Sequence, residues 1–202
     1  MGRREDNKQR KRSRLLTEGL KRILEVGYDL ASVEQIASAA DVARGTFYLY
    51  YRDKQALFEV LVDRWVQPTL ALLAEVDEAL AEATTRDESL AIYQRMAMDL
   101  TTIGLAHPDV ILMSSRELRR PGPAGELLRL REKAILEAAA RLTRRAADRG
   151  LITVADPDLA ALIITGAVER LVYASLVDDL PDPQYAAIEA VRMFARALEL
   201  PA

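Results

Sequence analysis

Residues 27–57 read GYDLASVEQIASAADVARGTFYLYYRDKQAL, and their punctuation decides the fold. Ser32 can cap a helix and Gln35, three positions on, can reach back to it, so the pair makes a capping box. The helix it opens is short, because it begins near Val33 and Asp41 breaks it. Asp41 and Val42 form a tight turn, and the spacing predicts a second short helix over Ala43–Tyr51. Asp53 then caps a further helix with Leu57, Leu61 and Val62 on its apolar face. Upstream, Leu16, Leu20, Ile23 and Leu24 line one face of a longer helix that ends at Gly27, where a terminating glycine belongs. Two short helices on a tight turn, preceded by a longer helix, make a helix-turn-helix pattern.

A recognition helix has to offer donors on one face and pack with the other. Phe47 and Tyr51 fall four residues apart and suit the packed face. Arg44, Tyr48 and Lys54 can project outward, and Gly45 lets the backbone approach a duplex. Tyrosine hydroxyls donate well to phosphate oxygens, a contact that sets register without reading sequence. This concentration of aromatics is local, since aromatic residues make up only 5% of the chain.

Charge is distributed to match. The chain has 202 residues and a formal net charge of -3, yet residues 1–54 carry 12 Lys+Arg against 8 Asp+Glu, leaving 16 against 23 for the remainder. Residues 1–14, MGRREDNKQRKRSR, hold seven basic and two acidic side chains and are expected to form a basic flexible arm. A local basic patch matters more to a phosphate backbone than the total does. Arg10, Arg12 and Arg14 can enter a minor groove or simply attract phosphate; attraction is the favoured reading. There is no cysteine and one histidine, His107, which removes disulfides, thiolate catalysis and an all-histidine metal cluster. The sequence leads us to expect no cofactor, no membrane span and a cytoplasmic location.

The stretch 27–57 resembles the DNA-binding region of TetR family regulators. Gly27, Tyr28, Ser32, Val33, Ile36, Ala37, Ala40, Val42, Gly45, Thr46, Tyr48, Tyr50, Lys54, Ala56 and Leu57 match the family pattern. Four positions depart from it, among them Arg44, which replaces a lysine and could bind a guanine edge in bidentate fashion. Asp41 stands where glycine is usual, and Asp tolerates a left-handed turn. Ala43 replaces a serine, removing a cap and a phosphate donor, and Leu49 replaces a frequent histidine. The resemblance implies that Ser32 contacts phosphate, that Arg44, Gly45 and Thr46 approach bases or backbone, and that Tyr48, Tyr50 and Lys54 hold the backbone. It further implies a repressor of palindromic operators in double-stranded DNA, with the helix-turn-helix domain at 15–60 and a ligand-binding and dimerisation domain at 61–202.

Beyond residue 60 apolar residues recur at helical spacing, so the chain reads as all-α. Pro68 is expected to kink or end the helix begun near Lys54, with further helices near 69–83, 87–105, 108–119, 124–149, 157–179 and 184–199. The segment DLAALIITGAVERLVYASLV is apolar on more than one face, which one core contact does not explain. A homodimer through the last two long helices, with Ile188, Val191, Phe194, Ala195 and Leu198 on the second, would bury the surplus. A small, largely apolar effector is expected among the middle helices, with Trp65, Tyr93, Met96, Leu100, Ile103, Met113, Arg116 and Tyr173 as candidate contacts. No nucleophile has a base at motif spacing, so catalysis is not expected; a ligand-independent architectural DNA-binding protein on the same fold is the alternative.

Overall fold

The computed structural model describes residues 3–177 and 182–197, and among them every regular element is an α-helix. In chain order these are α1 (Arg3–Val26), α2 (Val33–Ala39), α3 (Arg44–Phe47), α4 (Lys54–Glu82), α5 (Arg86–Ala106), α6 (Pro108–Glu117), α7 (Pro123–Asp148), α8 (Pro157–Leu176) and α9 (Pro183–Ala197). The chain divides into two compact units, Met1–Arg64 with Asp109–Arg129 and Trp65–Pro108 with Leu130–Ala202.

In the first unit each helix end follows from its own residues. Gly27 ends α1 at φ +85°, its N–H donating to the Ile23 carbonyl at 2.8 Å. The Ser32 box forms: Ser32 Oγ accepts from the Gln35 N–H at 3.2 Å and Gln35 Oε1 from the Ser32 N–H at 3.0 Å. At the other end of α2, Asp41 adopts φ 55° and its N–H reaches the Ser38 carbonyl, while the Val42 N–H reaches that of Ala37. Those two bonds are a Schellman closure, with Asp41 taking the left-handed position that glycine usually fills. Ala43 is extended and makes no side-chain cap, as its methyl group dictates.

The regular part of α3 is shorter than the expected Ala43–Tyr51, because it tightens at once. Leu49 and Tyr50 donate to the carbonyls three residues back, those of Thr46 and Phe47. Phe47 and Tyr51 are buried with ring centroids 5.6 Å apart, in a core that includes Leu15, Leu16, Ile23, Ile36, Leu57, Phe58, Leu61 and Val62.

The structure corrects the expectations for the arm and for Pro68. The arm expected to be flexible over 1–14 is helical from Arg3, continuous with α1, with Glu5 and Asp6 placed favourably in the first turn. Of the two outcomes expected at Pro68, a kink or an end, the end is ruled out: α4 runs through it to Glu82. Pro68 forfeits one backbone donor, but Val66, Leu73, Val76 and Leu80 bury the flanking face, which offsets a loss of ~3 kcal/mol. By length and composition alone α8 is also long and apolar enough to cross a membrane, which does not overturn the expectation of no membrane span. The Glu169–Arg170 pair breaks the run in sequence without lowering the mean hydropathy enough to matter.

The first unit also takes in α6, which the sequence reading places in the C-terminal domain. The reason is a polar seam at the end of α1. Arg116 donates to the Leu24 carbonyl at 2.7 Å, and Glu117, 3% exposed, accepts from the Tyr28 N–H at 3.3 Å and from Arg120 at 3.4 Å. A Cβ at Gly27 would stand 2.6 Å from the end of the flexible Arg120 side chain, which can shift, so glycine is favoured there by its positive φ.

In the second unit Thr85 and Glu88 cap α5 reciprocally, and the Glu88 carboxyl lies below the usual range because Thr84 and Thr85 donate to it. Asp156 caps α8 through the Asp158 and Leu159 N–H groups. Arg145 pairs with Asp77 at 2.7 Å, and Arg149 donates to the carbonyls at the end of α4. On α9, Ile188, Val191, Phe194 and Ala195 are partly buried; Leu198 lies outside the described residues.

The Asp41 turn yields a prediction for chemical or thermal unfolding of the full chain. Asp41→Val puts a β-branched residue at φ 55° and should lower stability by ~1–2 kcal/mol, whereas Asp41→Gly should leave it unchanged or raise it slightly.

Candidate nucleic-acid interface and apolar cleft

The outward side of α3 and the segment after it is built by the burial of the inward side. With Phe47 fully buried, Arg44, Gly45, Tyr48 and Leu49 are left at the surface, Tyr48 at 45% and Leu49 at 79% exposure. Apart from its chain neighbours and the backbone of its own helix, nothing comes within 4 Å of the site a Gly45 Cβ would occupy, so the backbone there is open to a close approach. Thr46 and Tyr50 are half-buried. Ser32 stands at the start of α2, its oxygen accepting from Gln35.

Arg44 is held on two sides. Its Nε lies 2.9 Å from Glu34 Oε1 and an Nη 3.5 Å from the Tyr48 hydroxyl, with the guanidinium carbon 5.9 Å from the Tyr48 ring centre. The Tyr48 hydroxyl first, and Glu34 second, raise the Arg44 pKa, so it stays a cation at every working pH. Exposed basic side chains of α1, among them Arg10, Arg12 and Arg14, extend the positive surface; Arg14 lies 3.8 Å from Asp41.

Lys54 points elsewhere than the expected contact with a phosphate backbone. Its ammonium donates to the Tyr28 carbonyl at 2.5 Å and the Asp29 carbonyl at 3.3 Å, and sits 4.2 Å from the centre of the Tyr28 ring. Burial lowers its pKa, opposed by Asp29 and Glu117. Burial likewise pushes the Tyr28 phenol up to about 12, with help from Asp53, Asp29 and Glu59. In this arrangement Lys54 ties the α1–α2 connection to the start of α4.

The expected ligand contacts separate into two groups. Tyr93, Met96 and Leu100 of α5 line two apolar clefts of the second unit, enclosing about 1010 and 650 Å³ including their open mouths. Both clefts share Met96, Ile164, Val191 and Phe194, and so run along α5 between α8 and α9. The Tyr93 hydroxyl is buried there without a hydrogen-bond partner, and burial raises its pKa to about 12. Arg86, bonded to the Thr153 hydroxyl at 3.0 Å, stands at one end. Met113 and Arg116 instead belong to the first unit, Met113 buried and Arg116 on the Leu24 carbonyl. Trp65 has a buried, unpartnered indole N–H, Ile103 is half-buried and Tyr173 is exposed beside Arg170; none of them lines these two clefts.

Sequence reasoning missed Glu34 and Glu117. Glu34 faces Arg44 only because of the angle between α2 and α3, which no spacing encodes. Glu117 is 89 residues from its partner Tyr28; an acidic residue inside an apolar helical face was its only signal.

Residues 15–61 match the family model described as bacterial regulatory proteins, tetR family. The fatty acid metabolism regulator protein of Bacillus subtilis (strain 168) is 33% identical over 70 residues, 35% of this chain and 34% of that protein. This chain spans about a third of the length of the curated relatives it matches. Among solved structures, a bacterial regulatory protein in the tetR family from Rhodococcus RHA1 superposes with a TM-score of 0.73 at 17% identity, over 95% of this chain and 98% of that one. The transcriptional regulator FadR from Bacillus subtilis, in complex with stearoyl-CoA, gives 0.65 at 21%, over 91% and 96%. These likenesses extend the shared fold across both units.

If Lys54 works within the fold, Lys54→Met should lower the stability of the DNA-free protein by about 1–2 kcal/mol, read as a shift in the denaturant midpoint. An unchanged midpoint, together with a large loss of DNA affinity, would place the ammonium on phosphate instead.

Proposed function

We propose, for a chain that belongs to the tetR family of bacterial regulatory proteins through its DNA-binding domain, that it is a homodimeric repressor released from a palindromic operator by a small, largely apolar effector. The observation that carries the effector half is the pair of adjoining apolar clefts along α5, one of them with a buried, unsatisfied phenol; they suit an apolar molecule that brings a hydrogen-bond acceptor. Their extent supports a long acyl chain. From Leu90 to Leu105 the lining follows α5 for roughly 22 Å at the helical rise. The relative crystallised with stearoyl-CoA, and the relative named for fatty acid metabolism, point the same way. A ligand-independent architectural protein would have no use for such a cleft.

On the DNA side, Arg44 would read a base edge from the start of α3, Gly45 and Thr46 would admit the duplex, and Tyr48, Tyr50 and Ser32 would hold phosphates. Lys54 would then support this surface from behind. The dimer would form through α8 and α9, where Leu159, Leu162, Ile163, Tyr185 and Met193 are exposed large apolar side chains. A second copy covers that face better than a membrane does, because Glu169 and Arg170 stand mid-helix, where lipid makes charges costly. Such a two-fold spaces the recognition helices by about 34 Å, one turn of DNA, and the protein acts in the cytoplasm with its operator.

Binding to a selected operator, measured by fluorescence anisotropy, should weaken roughly 5- to 150-fold when a long-chain acyl ligand is added, with the same ligand raising the unfolding midpoint. Tyr93→Phe should weaken the ligand about 3- to 10-fold without changing DNA affinity. A ligand that binds tightly and leaves DNA affinity unchanged would end the induction model. On the DNA side, Tyr48→Phe should lower affinity about equally for all sequences, whereas Arg44→Ala should also relax one base position, losing ~1–3 kcal/mol of discrimination there.

A further inference from the structure

Arg44 is the sole basic residue of α3, and its side chain is shared with an acid on the same exposed face. Both partners are open to solvent, the guanidinium side at 63% and the Glu34 carboxylate at 54%, so their pairing is not forced by burial. As an isolated surface ion pair it adds little to stability. In the free protein Glu34 is well placed in any case, in the first turn of α2, where the helix dipole favours negative charge.

Next to a duplex the balance reverses. A carboxylate within a Debye length of phosphates, ~8 Å at physiological salt, is repelled by every sequence alike. What it gives back depends on sequence. Glu34 takes the Nε of Arg44 and the Tyr48 hydroxyl accepts from one Nη, so the guanidinium is held at two points and keeps three Nη–H donors, at least one on each Nη. A fork presented that way suits the paired O6 and N7 acceptors of guanine and finds no equal match at other bases.

We propose that Glu34 is a specificity-determining residue of the DNA-binding surface: it fixes Arg44 for guanine and charges a repulsion that only a duplex bearing that guanine offsets. The proposal rests on the reading of α3 as the recognition helix. Glu34 thereby weakens binding to non-operator DNA more than binding to the operator, and the positioning acts through Arg44 and not on the fold.

The test is anisotropy of the full-length wild type, Glu34→Gln, Arg44→Ala and the double variant on a selected duplex and a scrambled one, at several salt concentrations. Wild-type discrimination between the duplexes establishes the underlying reading; its absence overturns that reading and the proposal together. Given discrimination, Glu34→Gln should tighten the scrambled duplex on the order of threefold to fivefold at low salt, change the selected duplex less, and lose the difference as salt rises. Fragments selected by Glu34→Gln should relax at the base position that Arg44→Ala relaxes, and the double variant should lose no more specificity than Arg44→Ala alone. An unchanged ratio between the duplexes overturns the proposal. So does an equal loss on both accompanied by a lower unfolding midpoint, since that is the signature of a merely structural residue.

Discussion

A helix of four residues cannot hold itself up. α3 has one turn, no side-chain cap at Ala43 and a tightened exit, and in isolation such a segment has no stability to speak of. Its existence depends on the burial of Phe47 and Tyr51 against the residues of α1, α2 and the start of α4. That anchor decides which side of the segment is left for a partner. Once the two rings are inside, Arg44, Tyr48 and Leu49 have nowhere to go but out, and Gly45 stays uncovered between them. Everything around the anchor serves to keep it in register: the Ser32 box starts α2, the left-handed Asp41 closes it, and Lys54 ties the loop before α2 to the helix after α3.

That part of the protein was legible because its signals are local. Capping residues, a turn residue able to take positive φ and rings four apart each act over a few positions, and the helix-turn-helix follows from them in order. Asp41 in particular carried its own explanation, since few other residues occupy the left-handed region at small cost. Side-chain partners across the unit were not legible. Lys54 occupies a position where a phosphate contact is the natural expectation, yet in this structure its ammonium donates to the Tyr28 and Asp29 carbonyls of the α1–α2 connection. Glu117 reaches Tyr28 across most of the chain, and Glu34 meets Arg44 through an interhelical angle. At Pro68 the local rule allowed a kink or an end, and burial along α4 excluded the end.

The second unit shows the same division. Helix periodicity and the caps at Thr85 and Asp156 could be read directly, and Tyr93, Met96 and Leu100 share the α5 side of the clefts because they are spaced for one helix. Met113 and Arg116 looked equally suited by composition but sit in the first unit, with α6, where a polar seam holds them at α1. The unsatisfied Tyr93 hydroxyl is a feature only the packing could reveal. It places a buried donor in a mostly apolar cleft, and the proposed ligand class rests on that donor.

The central claim is that two copies of this chain present their α3 segments to successive turns of one duplex. Selection of bound fragments from a random duplex pool tests it most directly. The account predicts enrichment of an inverted repeat whose half-sites are centred about 10 base pairs apart, or a multiple of that, with an invariant guanine in each half. Recovery of a single asymmetric site, or of no sequence enriched above the starting pool, would contradict it.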